Sequence, residues 1–141
     1  MRRYLVVAHR TLGGAHLFEH LHELRAEDPY CGFHFLVPMH HPKDHAFTDH
    51  ECRVAAQAKL DEILENMATL GIGATGEVGD VNPVYAVDAA FRHEDINTFT
   101  GIVLSTLPQA ISSWWDVPHR VHRQFPSLPL THIVAEASLV S

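Results

Sequence analysis

The sequence predicts an α/β protein: a Rossmann-like, doubly wound, five-stranded parallel sheet of order 3-2-1-4-5 in three α/β/α layers. Three observations carry that prediction. Short apolar runs alternate with segments of helical periodicity, in the order β-α-β-α-β-α-β-α-β. The runs are apolar throughout, as in strands buried on both faces of a parallel sheet. The turns between them are short, and right-handed crossovers then leave a doubly wound sheet as the natural closure.

"YLVVA" (Tyr4 to Ala8) is the first strand. In "AHLFEHLHELRAED", Leu17, Leu21 and Leu24 recur at helical spacing, and Pro29 stops that helix. "GFHFLVP" is the second strand, ended by Pro38. The histidine-rich stretch "VPMHHPKDHAFTDHEC" comes next and closes on "TDHE", where Thr48 and Glu51 fit a capping box. The helix opened there carries Ala56, Leu60, Ile63, Leu64, Met67 and Leu70 on one face, and Gly71 is placed to end it. "IGATGEVG" is a glycine-laced third strand. Asn82 then caps a helix whose first turn holds Pro83. "TGIVLST" is the fourth strand, "SSWWDVPHRVHRQF" is helical in part and is interrupted or restarts near Pro118, and "LPLTHIVAE" is the fifth strand.

The 141 residues read as a single domain, 1–141, with a histidine-rich insertion at about 38–50. Apolar residues make up 46% and charged residues 19%, a globular balance. A formal net charge of −7 disfavours nucleic acid and anionic membrane surfaces as partners. No segment approaches the roughly 20 apolar residues of a membrane span. Cys31 and Cys52 form no CxxC pair, and the apolar run near Met1 is too short for a secretory signal. The expectation is a soluble, reduced, cytoplasmic protein.

Ligands of doubly wound sheets bind beyond the carboxyl ends of the strands, where the winding reverses. Here that crevice lies between strands one and four, flanked by residues 9–14 and 105–113. His9, Arg10, Thr11, Gly13 and Gly14 lead into a helix N-terminus, whose amides suit an anion. Ser105, Thr106, Ser112 and Ser113 add hydroxyls across the gap, and Arg120 adds charge if the last helix folds back. The plainer alternative makes Gly13-Gly14 a tight turn and the serines helix caps. His9 suits an acid, a base or a cap of the sheet edge. Trp114 and Trp115 suit base stacking, or one buried ring and one on a flank.

No metal site is assigned. His40, His41, His45 and His50 offer donors beside Asp44 and Asp49, but Pro42 breaks the i, i+4 register that a helical metal motif needs. His16 and His20 do have that register, beside Glu19 and Glu23, and read as solvated helix-face residues. There is no GxSxG elbow, and neither cysteine has an adjacent base.

Three blocks, "YLVVAHRTLGG", "GEVGDVNPVYAV" and "IVLSTLPQAISSWWDVPHRVHRQFPSLPLTHIVA", resemble the universal stress protein superfamily, in particular a small actinobacterial-type branch. The resemblance implies a ligand-binding or regulatory role in stress physiology, and a homodimer built on the last strand. Many members of that superfamily bind ATP through G-x2-G-x9-G-[ST] after the fourth strand, with an aspartate ending the first. Here His9 and Arg10 stand where the acid is expected, and "STLPQAISSWW" has no glycine to bring amides close to phosphates. ATP binding is therefore doubtful, and no cofactor is assigned. Three classes stay open: a module binding a small anionic ligand, a nucleotide- or phosphate-binding slow hydrolase using His9, and a non-catalytic interaction dimer.

Overall fold

Strands β1 (Arg3–Val7), β2 (Gly32–Pro38), β3 (Ala74–Gly79), β4 (Gly101–Thr106) and β5 (Leu130–Val134) alternate with helices α1 (Ala15–Glu27), α2 (Asp49–Thr69), α3 (Pro83–His93) and α4 (Val117–Gln124). A one-turn 3-10 helix, Ile96–Thr98, leads into β4. The computed structural model describes residues 2–8, 11–12, 14–40, 48–108 and 114–135. All strand pairs are parallel and the order is β3-β2-β1-β4-β5, as the alternation of elements predicts.

The pleat divides the core into two layers. Tyr4, Val6, Phe33, Phe35 and Val37 point to one face, beneath Leu17 and Leu21 of α1 and Ala56, Leu60, Ile63 and Met67 of α2. Leu5, Val7, Leu36, Ile102 and Leu104 point to the other, against Val84, Val87 and Ala90 of α3 and Val117 and Val121 of α4. Every residue of β4 is buried, whereas β5 is largely open to solvent. Gly79 permits close packing of α3, because a Cβ there would lie 2.6 Å from the Ala86 Cβ and 2.9 Å from Leu36 Cδ1.

Local chemistry sets the helix ends. Thr48 accepts from the Glu51 amide and Glu51 reaches back to the Thr48 amide, so α2 opens on a complete capping box. Gly71, at φ 73°, follows the last turn in the left-handed conformation that favours glycine. Asn82 accepts from Val84 and Tyr85 at the start of α3, with Pro83 first in the helix.

In α2 two positions differ in detail from the periodicity. Leu70 is the C-cap of α2 and 57% exposed, because the helix ends before it can turn inward. Cys52 takes a place on the buried face one turn before Ala56. Pro118 lies in the first turn of α4, where its missing N–H leaves no helical bond unmade, so it starts that helix.

Candidate functional site at the carboxyl edge

The register places Val7 of β1 opposite Leu104 of β4, so the chain leaves the two strands side by side. The turn after β1 meets the carboxyl end of β4. Thr11 Oγ1 and Ser105 Oγ are 2.6 Å apart, a buried hydrogen bond between residues 94 positions apart. The Gly14 amide donates to the Thr11 carbonyl at 3.0 Å, which curls this turn into α1. Gly14 is the N-cap of α1 and supplies no side-chain cap, unlike Thr48 for α2 and Asn82 for α3. The first-turn amides of α1 therefore have no side-chain acceptor from their own cap.

Thr106, the last residue of β4, shares a 2.7 Å hydrogen bond with His132 Nε2 of the neighbouring β5. Desolvation at the strand edge pushes the His132 imidazole below its usual pKa, although the residue keeps solvent contact. A neutral ring serves this bond, with either partner able to donate. Arg120 lies in α4 and its guanidinium is 3.8 Å from Asp116, one turn earlier. The structure thus brings Thr11, Gly14, Ser105 and Thr106 to one edge. His9, Arg10, Gly13, Ser112 and Ser113 lie outside the described residues.

Of the four histidines weighed for metal, His41 and His45 lie outside the described residues as well. His40 is exposed just beyond β2, and His50 is exposed in the first turn of α2. On α1, His20 Nδ1 is 3.7 Å from Glu23, and its Nε2 is buried with no hydrogen-bond partner among the described residues. Trp115 is 64% exposed while Trp114 packs partly against the core, which matches one ring inside and one on a flank.

A second polar cluster lies on the α3 face of the sheet, and sequence reading missed it. His34 of β2 is only 3% exposed. Its Nδ1 is 2.7 Å from Thr75 Oγ1 and its Nε2 is 3.0 Å from Glu77 Oε2, both on β3. Glu77 Oε1 meets His93 Nε2 at 2.8 Å. Glu94, the C-cap of α3, meets Arg3 at 3.3 Å, and Arg3 stacks over Phe99 at 4.5 Å from the ring centre. The available signal was a histidine inside an otherwise apolar buried strand, since a buried polar side chain needs partners.

No protein-family model matches the chain, and no curated protein matches it. A solved structure does match. It is the crystal structure of a protein from the universal stress protein family from Burkholderia pseudomallei, with a TM-score of 0.61 over 93% of this chain and 94% of that one. The chain has the universal stress protein fold. The two sequences are 18% identical, so the universal stress protein likeness is one of architecture. It agrees with the family resemblance of the three sequence blocks. Among the described residues, no helix is long and apolar enough to cross a membrane.

Proposed function

We propose that this protein is a universal-stress-protein-type binding or regulatory domain of the cytoplasm, taking a small anionic ligand at the carboxyl-edge crevice between β1 and β4. The observation that carries the reading is the Thr11–Ser105 hydrogen bond, which joins the turn after β1 to the carboxyl end of β4 at the reversal of winding. The glycine N-cap of α1 supports it, because it offers the first-turn amides no capping side chain of its own and helix N-termini suit an anion. The glycine-free segment after β4 argues against an ATP cradle. A regulatory role in stress rests on the family resemblance and the shared fold.

The same reading makes the protein a homodimer through β5. The Ala135 amide donates to the Thr106 carbonyl at 2.9 Å, so alternation along a parallel strand turns the Val134 amide to the open side. Val134 is 47% exposed there. An open strand edge is a template for a second copy. Sedimentation should give a dimer for the parent chain and a monomer for Val134→Pro. A monomeric parent would remove this part of the reading.

Thermal denaturation with orthophosphate, sulfate, AMP and ATP, each with and without magnesium, tests the ligand. A simple anion at about 100 times its dissociation constant should add about 2.7 kcal/mol. ATP should stabilise the fold no more than orthophosphate does. A much larger ATP shift would make this a nucleotide site, and no shift with any anion would remove the ligand altogether.

A further inference from the structure

We propose that His34, Glu77 and Glu94 form a binding site for a divalent transition metal of the zinc class, on the α3 face of the sheet and separate from the carboxyl-edge crevice. Each residue offers one ligand atom, and the three atoms lie within 4.8 Å of one another. One imidazole nitrogen with two carboxylate oxygens suits Zn2+ and its first-row neighbours. An all-oxygen set would favour calcium or magnesium, and thiolates would favour softer ions. The two carboxylates also match the charge of a divalent ion.

The outer atoms of the same side chains point the same way. Thr75 holds His34 Nδ1 at 2.7 Å, which leaves Nε2 directed at Glu77 Oε2. His93 holds Glu77 Oε1, and Arg3 holds Glu94 Oε2 at 3.3 Å while Oε1 of the same carboxylate faces His34 Nδ1 at 3.9 Å. Each carboxylate is thus fixed through one oxygen and turns the other toward the His34 ring, Glu77 on the Nε2 side and Glu94 on the Nδ1 side, and outer partners of this kind orient metal ligands. Bonds of about 2.0–2.2 Å place tetrahedral donors roughly 3.4 Å apart, so side-chain movements are needed, above all by Glu94. The carboxylates can make them: the Glu77 and Glu94 side chains are 22% and 31% exposed, while His34 is locked in the core. His93 stands at the mouth, 62% exposed, in reach as a fourth donor if it releases Glu77.

Charge supplies the last argument. Arg3 balances Glu94, but both hydrogen-bond partners of Glu77 are histidines. A divalent ion would supply Glu77 with the fixed positive charge that Arg3 gives Glu94.

The test is calorimetric titration of the chelator-treated, tag-free chain with ZnCl2. The parent should bind one zinc at this site, and so should a variant with His40, His41, His45 and His50 all changed to Asn. That variant removes the competing donors beyond β2. Glu77→Gln and Glu94→Gln, built on the same background, keep shape and volume and should each weaken binding about 100-fold or more. Thr75→Val should weaken it about tenfold, as loss of an outer partner does. Thermal melts of the metal-free variants check that each is folded. Binding unchanged in both glutamine variants, binding lost entirely with the four histidines, or no zinc taken up by the parent would each overturn the site and leave a hydrogen-bonded polar network.

Discussion

The carboxyl edge of the sheet and its α3 face solve the same problem, buried polar groups, with different chemistry. At the carboxyl edge Thr11, Ser105 and Thr106 are neutral hydroxyls, each satisfied by a single short bond. On the α3 face His34 is held by Thr75 and Glu77 inside a network that also contains Glu94, Arg3 and His93. Neutral hydroxyls are cheap to exchange: a ligand can replace one partner with another at little net cost. A charged network is costly to break, because each orphaned member keeps its desolvation penalty. The first region is therefore suited to reversible binding of a small group, and the second to holding an ion or anchoring the fold.

The largest expected effect comes from the network. His34→Ala should cost about 3 kcal/mol in urea unfolding of the metal-free chain, through a cavity and the loss of two hydrogen bonds beside Glu77. A loss below about 1 kcal/mol would mean that the network contributes little. Next is the hydroxyl pair. Thr11→Val should cost about 1–2 kcal/mol by leaving the Ser105 hydroxyl buried and unpaired, and Thr11→Val with Ser105→Ala should recover most of it. The recovery, read from a double-mutant cycle, is what separates a replaceable pair from a network.

Smaller still is the Arg3–Glu94 pair, whose side chains are 27% and 31% exposed. Arg3→Met should cost no more than about 1 kcal/mol, and less at high salt if the pair is mainly electrostatic. The smallest effect is a slope. His132 is held below its usual pKa when folded, so below about pH 6.5 the unfolded chain takes up the proton first. Its contribution to stability is present above that pH and is lost as the pH falls toward the folded value. His132→Asn should flatten stability against pH in that window, measured by unfolding at matched ionic strength.

These two regions were unequally legible in the sequence. The sheet order followed from apolar runs and short turns, and the capping signals at Thr48, Glu51, Asn82 and Gly71 each fell where local chemistry requires them. Thr11 and Ser105 could be placed on opposite sides of one crevice, because strand order alone decides which strand ends lie at a reversal of winding, but their direct bond could not be read in advance. The network could not be found by that route. His34, Glu77 and His93 sit in three different elements, and their meeting depends on the β2–β3 register and on how α3 crosses β3. Nor could periodicity find the Thr106–His132 bond, since it depends on the registration of β4 with β5.

Amide-resolved NMR during titration with orthophosphate, and separately with ATP, tests most directly whether the meeting of the β1 turn with the end of β4 makes a binding site. The amides of Thr11, Gly14, Ser105 and Thr106 should move together and saturate with orthophosphate, with no tighter response to ATP. Amides that stay still at the ends of both strands while phosphate reaches high concentration, or that shift only elsewhere on the sheet, would contradict the account.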